Sequence, residues 1–200
     1  MTIRTEAVHA GEFLLSDDEI SRDDITLAIL AAALPAGQVL GQALTATATS
    51  ATNTGDGVIS AVTIGDHCQI GDYRLICSAA ATNAGTFQVF DPAGARLADL
   101  TVGVAYAGQI GLTVADGATD WIVGDDITVA VSAGNHAAYD PDATDGTQRA
   151  AAILYRAAPI SDATQAAVGV VRHAPVDGSL LTGLDAAATA SLALRGIIVR

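Results

Sequence analysis

Six short runs of β-forming residues, separated by glycine and aspartate turns, dominate the middle of the chain and constrain its fold most strongly. Strands that recur at this spacing are typical of an antiparallel sandwich or a small barrel. Phe87 and Val89 alternate with polar Thr86 and Gln88, which is the period of a half-buried strand. The sequence therefore predicts a self-contained β module with strands at Val58–Ile64, Tyr73–Cys77, Thr86–Phe90, Leu97–Val102, Gln109–Val114 and Ile127–Val131.

The residues on either side of this module differ from it in composition. A Thr/Ala/Ser/Gly run at Thr45–Gly57 has the composition of a linker and marks the first junction. We therefore expect a discontinuous β-rich core, residues 1–48 and 135–200, that carries an inserted sandwich or barrel-like module, residues 49–134.

Two apolar strands are predicted in the C-terminal part, at Ala150–Tyr155 and Ala166–Arg172, and a closing strand at Ile197–Val199. Near the N-terminus, Ile25–Leu34 is ambiguous. Its alanine-rich part favours a helix, whereas Ile25-Thr26-Leu27 could equally pair as a strand.

One helix is predicted at Ala186–Arg195. Asp185 is placed to cap its N-terminus, and Gly196 is placed to end it. An apolar stripe at four-residue spacing, formed by Leu184, Ala188 and Leu192, gives the helix one buried face.

The charge of the chain excludes several classes of partner. The formal net charge is −13, nine arginines supply all of the positive charge, and there is no lysine. Such a chain repels nucleic-acid phosphates and anionic membranes, so we expect neither as a partner. The longest apolar run, Ile25–Leu34, is too short to span a bilayer, and Met1–Phe13 lacks the apolar stretch of a secretory signal. We expect a soluble protein that is made in the cytoplasm.

No group of residues predicts catalysis or a bound metal. The loop Asp140–Gly146 departs from a calcium loop in the position of its third aspartate, and its twelfth position is Ala151 rather than glutamate. His67, Cys68 and Cys77 lack a fourth zinc ligand, and both cysteines are expected to be free thiols on neighbouring strands. Neither a nucleophile elbow nor a phosphate-binding loop occurs. We therefore expect no enzyme, no cofactor and no metal.

Five segments in order resemble the lambda-type bacteriophage head decoration proteins, and together they cover about residues 4–44 and 136–200. The middle module resembles an insertion that some longer members of the family carry. The segments are His9–Ser16 (HAGEFLLS), Leu34–Gly41 (LPAGQVLG), Tyr139–Gly146 (YDPDATDG), Ala152–Leu154 (AIL) and Leu194–Val199 (LRGIIV).

The resemblance implies a homotrimer on the outer surface of the phage capsid, with the major capsid protein as its partner. Such a protein binds the shell after expansion and resists the pressure of the packaged genome. It is expected to combine a compact β-rich core, one small helix and an N-terminal arm that becomes ordered when it docks.

The stretch Thr2–Leu15 alternates polar and apolar residues and has no partner strand nearby in the sequence, as expected for such an arm. We expect its apolar residues to anchor it and its charged residues to set its register on the capsid subunit. The other possibility is a disordered terminus. The candidate capsid-binding residues are Ile3, Arg4, Glu6, Val8, His9, Glu12, Phe13 and Leu15.

Two other classes of function compete with decoration. A tail, fibre or surface-adhesion module would suit the Gly/Thr/Val strands of the middle segment. A small hydrolase is disfavoured because no nucleophile–base arrangement is present.

Overall fold

The computed structural model describes residues 6–16, 21–50 and 52–200, which are mostly β-strand with one α-helix. The elements are β1 Ser21–Leu27, β2 Val39–Ser50, β3 Thr63–Ile64, β4 Gly71–Ala81, β5 Ala84–Phe90, β6 Leu100–Thr101, β7 Ile110–Gly111, β8 Asp126–Ala138, β9 Ala150–Leu154, β10 Gln165–Arg172, β11 Ala174–Val176, a 3-10 helix Gly178–Leu180, α1 Ala186–Ala193 and β12 Ile197–Val199.

The chain divides into two compact units. We call Met1–Ala43 with Gly134–Arg200 the split unit, and Leu44–Ala133 the middle unit. Both boundaries fall inside long strands, β2 and β8, which pass from one unit to the other. The sequence placed the corresponding boundaries at 48/49 and 134/135.

The split unit contains a closed, barrel-like sheet. Its strand order is β1-β10-β9-β2-β8, and a parallel pairing of Leu27 with His136 joins the last strand back to the first. The strand β9 is buried at all five positions. Ala152 and Leu154 pack in one apolar cluster, and Ile153 packs in a second cluster with α1 and β12. Because both faces are covered, this strand is continuously apolar rather than alternating.

The middle unit is built on the antiparallel order β8-β4-β5-β6, beside a two-stranded pair β3–β7. The buried positions of β5 alternate strictly, as the sequence predicted from Phe87 and Val89. Phe87 meets the single tryptophan, Trp121, edge to face at a ring-centroid distance of 5.4 Å. Both rings are essentially inaccessible to solvent and lie in the core of this unit.

The predicted helix is confirmed, with its end two residues earlier than expected. Asp185 accepts a hydrogen bond from the Ala188 amide at 2.6 Å, which satisfies one of the free donors at the helix start. Ala188 and Leu192 are fully buried, and Gly196 has a positive φ of 74°.

Several strand predictions require correction. The linker assigned to Thr45–Gly57 is wrong for residues 45–50, which belong to β2. Ala46 and Ala48 pack on the core of the middle unit, so the Thr-Ala alternation was a strand signal. Of the ambiguous segment, Ile25-Thr26-Leu27 forms part of β1 and the rest is not helical.

Three predicted strands of the middle unit are shorter than expected. β3, β6 and β7 each keep two residues, and the isolated bridges Ile59–Val114 and Tyr106–Leu112 accompany them. Cys68 and Cys77 are both buried and form no disulfide, as expected, although Cys68 lies in a loop rather than on a neighbouring strand.

Candidate functional site

The N-terminal segment, which the sequence singled out as a capsid-binding arm, is partly folded onto the split unit. The Gly11 amide donates to the Tyr155 carbonyl oxygen at 3.1 Å. The Leu15 amide donates to the Pro175 carbonyl oxygen at 3.0 Å, and Leu14 forms an antiparallel bridge with Val176. Residues 10–13 form a turn. We call residues 9–15 the docked turn.

Phe13 is the residue whose environment differs most from the expectation. Its side chain has no solvent exposure and belongs to the same apolar cluster as Val176 and Leu192. Its carbonyl oxygen accepts a hydrogen bond from the Asp177 amide at 2.8 Å. The prediction of a continuous unpaired arm is therefore wrong for the docked turn, where Phe13 serves the fold of its own chain.

The remaining candidates are more accessible. Leu15 is 52% exposed, Val8 is half-buried, and Glu6, His9 and Glu12 are exposed. Ile3 and Arg4 lie outside the described residues. The capsid-binding role of all eight residues stays a prediction.

The three exposed polar residues form one small group. His9 Nε2 lies 3.5 Å from Glu6 Oε1, and His9 Nδ1 lies 3.4 Å from Glu12 Oε2. The His9 amide donates to the same Glu12 oxygen at 2.8 Å. This backbone hydrogen bond is the main cause that lowers the pKa of Glu12 from its ordinary value. The hydrogen bond to Glu12 closes the docked turn.

The docked turn is fixed against Tyr155 by close packing. Gly11 has a positive φ of 74°, and a Cβ atom added there would lie 2.8 Å from Tyr155 Cε2. Only glycine combines this backbone conformation with so close an approach. The Arg22 guanidinium carbon lies 5.0 Å from the centroid of the same ring, which is within the range of a cation–π contact. Tyr155 thus contacts both the docked turn and β1.

No catalytic or metal-binding arrangement emerges among the residues that the structure describes. No group of three or more His, Cys, Asp or Glu side chains in 6–16, 21–50 and 52–200 could hold a metal ion. In the same ranges, no helix is long and apolar enough to cross a membrane.

Asp125 is a buried acidic residue of the middle unit. Carboxylates are rarely buried without hydrogen-bond partners, and Asp125 is only 6% exposed. Its carboxylate accepts hydrogen bonds from the amides of Thr54, Gly55 and Ile122 at 2.9–3.0 Å. Burial acts to raise its pKa, but the three donors outweigh burial and lower it. Its function is to hold two loops of the middle unit together.

Comparison with known protein families settles the relationship of the chain. A family model described as bacteriophage lambda head decoration protein D matches residues 3–197. The chain belongs to this family. The match runs through both units, confirms the resemblance seen in the sequence, and supports a role in decorating the phage capsid on the virion. The family is a structural one.

Other comparisons add little. Two crystal structures of FlgL from Xanthomonas campestris match 50% and 49% of the chain at 20% identity, each with a TM-score of 0.34. The chain spans about a third of those structures, 33% and 32%. A TM-score of 0.34 is too low to support an inference about this chain. The comparison with curated proteins gives no match.

Proposed function

We propose that this protein binds the outer surface of the expanded phage capsid as a homotrimer and stabilises the head against the pressure of the packaged genome. The observation that carries the proposal is the family match across residues 3–197, which includes the N-terminal segment as well as both units. The major capsid protein is the proposed partner. On this proposal, the protein stabilises the shell through contacts between protein surfaces and catalyses no reaction.

The composition of the chain supports an oligomer. Only 4% of the residues are aromatic, and the central strand β9 is built from three alanines, an isoleucine and a leucine. Small side chains bury little apolar area each, and burial contributes roughly 25 cal/mol per Å². A chain of this kind gains from additional apolar contact with neighbouring copies.

The N-terminal segment supports capsid attachment, but fewer of its residues are available for the capsid than the sequence suggested. Phe13 belongs to the core of the split unit, so the part of the arm that remains for the capsid is residues 1–8 together with the exposed side chains of His9, Glu12 and Leu15. Three such arms on one trimer bind as one unit, and their affinities combine through a high effective concentration.

Deletion of residues 1–8 tests the arm. A deletion of residues 1–14 would also remove Phe13 and would confuse loss of binding with loss of folding. We expect the shorter deletion to leave the circular dichroism and the light-scattering mass of the trimer unchanged, and to abolish co-sedimentation with expanded shells. Decoration by the truncated protein at the wild-type level would refute the arm.

The homotrimer and the stabilising role have a test of their own. Light scattering should give three times the mass of one chain. Purified expanded shells that lack a decoration protein should withstand higher temperature before releasing their genome once the protein is added. A monomer in solution, or shells with unchanged tolerance, would refute the corresponding part of the proposal.

A further inference from the structure

A groove opens on the split unit where β9 and β10 separate. The strands pair up to the hydrogen bond from the Tyr155 amide to the Val168 carbonyl oxygen, 2.9 Å long. Beyond this point the chain after β9 turns away, and Ala158 pairs with Leu34 instead. The space between the first half of β10 and residues 156–159 is a groove of about 440 Å³.

One side of the groove presents a strand edge with free backbone groups. On an antiparallel strand, successive residues direct their backbone N–H and C=O groups to opposite neighbours. Val168 directs these groups toward β9, so Ala166, two residues earlier, directs its own groups the same way, into the groove. Ala166 is exposed, and on its other side it faces Thr26 of β1 at a position of the ladder where the two backbones do not bond to each other. An extended chain segment can add to such an edge.

The groove also carries positive charge in a chain of net charge −13. Arg22 and Arg156 line it, with alanines and Pro159 forming an apolar surface between them. Within the described part of the chain, no carboxylate oxygen lies within 4.0 Å of either guanidinium, whereas Arg74, Arg96 and Arg172 each have such a partner. Arg22 is held in place by its stacking on Tyr155.

We infer that this groove binds an extended, carboxylate-bearing segment of the capsid subunit, which adds as a short strand along Ala166 and pairs its acidic side chains with Arg22 and Arg156. The inference rests on the proposed function and adds a second contact to the N-terminal arm. Charge complementarity selects an acidic segment, and the unpaired edge selects an extended one.

The position of the groove favours the capsid subunit over a second copy of this chain as the occupant. Tyr155 lines the groove and also packs against Gly11 of the docked turn. The docked turn therefore lies beside the groove. A capsid subunit that engages the arm is within reach of the groove as well.

Two variants test the groove, and each removes one of its features. Arg156→Glu reverses the charge of an exposed side chain. Ala166→Pro removes the backbone N–H that faces the groove. Proline is tolerated in a strand when its missing N–H would face an open edge. The hydrogen bonds between β1 and β10 stay intact, because the backbone of Ala166 does not bond to β1. Arg200→Glu is the matched control, because it makes the same charge change at an exposed arginine of the split unit outside the groove.

The assay is co-sedimentation with expanded shells over a range of protein and salt concentrations. Wild-type sedimentation tests the proposed function, and the variants test the groove. Because Arg156→Glu replaces an attractive charge with a repulsive one, we expect it to weaken binding about tenfold or more and to reduce the salt dependence of binding. We expect Ala166→Pro to weaken binding also, and Arg200→Glu to bind within about twofold of the wild type.

Two results would overturn the inference while the wild type still decorates shells. In the first, Arg156→Glu binds as Arg200→Glu does, with the same salt dependence. In the second, Arg156→Glu lowers the light-scattering mass of the free protein, which would assign the groove to a second copy. Circular dichroism checks the folding of each variant, and Arg156→Glu alone decides the matter if Ala166→Pro does not fold.

Discussion

Replacement of Phe13 by alanine tests whether the docked turn completes the core of the split unit. The side chain of Phe13 has no solvent exposure, and it packs in a cluster with Val39, Val176 and Leu192. Truncation of a buried phenylalanine costs about 3–5 kcal/mol, from lost apolar burial and from the cavity that remains. The docked turn precedes β1 and can detach from the split unit, so that its backbone forms hydrogen bonds with water rather than remaining unpaired. We therefore expect Phe13→Ala to lower the free energy of unfolding by about 3 kcal/mol, the lower end of that range.

Leu15→Ala is the matched control, because it removes an aliphatic side chain two residues away that is 52% exposed. We expect it to change the free energy of unfolding by less than about 0.5 kcal/mol. The two variants are compared by urea denaturation followed by far-ultraviolet circular dichroism. Tryptophan fluorescence is a poor readout for this purpose, because Trp121 belongs to the core of the middle unit.

Amide hydrogen exchange gives the local readout. The Leu15 amide donates to Pro175, and the Asp177 amide donates to Phe13. If Phe13 holds the docked turn, both amides should exchange about a hundredfold faster in Phe13→Ala, which corresponds to about 3 kcal/mol. Equal stability and equal exchange in the two variants would show that the turn does not depend on Phe13.

Three further predictions concern single side chains. The lowered pKa of Asp125 contributes stability that is present above the ordinary carboxyl pKa of 3.8 and is lost as the pH falls through the lower folded value. Asp125→Asn should therefore make the stability of the middle unit depend less on acidic pH, as followed by Trp121 fluorescence in acid titrations. Asp185→Ala should lower the free energy of unfolding by about 1 kcal/mol in urea because it removes the cap of α1, whereas Asp185→Asn should retain most of it. Cys68 and Cys77 are buried, and burial raises the pKa of Cys77, so both thiols should react with a thiol reagent at the rate of unfolding and not before.

The sequence predicted those elements whose signals are local. In β5, alternation of buried and half-buried residues is visible within seven residues, and α1 carries both its cap at Asp185 and its apolar stripe. The family resemblance was also available from the sequence, because five short segments occur in the expected order.

Elements that depend on distant partners were harder to predict. β1 begins Ser-Arg-Asp-Asp, a charged stretch with no strand signal, and it is a strand because Arg22 pairs with Val170 across the closed sheet. The Thr-Ala alternation of β2 lacks large apolar residues, so its composition suggested a linker. In both strands, long-range pairing outweighs local preference.

The candidate site shows the same limit at the scale of a single residue. Phe13 and Leu15 are both apolar residues of the same alternating stretch, so the sequence predicted a capsid contact for each of them. The core that buries Phe13 is contributed by residues distant from it in the sequence, among them Val39, Val176 and Leu192. A signal was present in the printed sequence, however, because Gly11 precedes Phe13 by two residues and glycine permits the turn that inserts the ring.

The docked turn also bears on how tightly an arm of this kind can bind. Ordering a residue of flexible chain costs about 1–2 kcal/mol of conformational entropy at room temperature. Residues 9–15 are already ordered on the split unit, by Phe13 in the core and by Gly11 against Tyr155. On the proposed function, residues 9–15 need no further ordering when the arm meets the capsid. Folding of the split unit has therefore already ordered these seven residues before docking, and the docked turn lies beside the groove. A variant that releases the turn without unfolding the unit, such as Phe13→Ala at low temperature, should bind shells more weakly than the wild type, although the ring of Phe13 is buried in the folded unit.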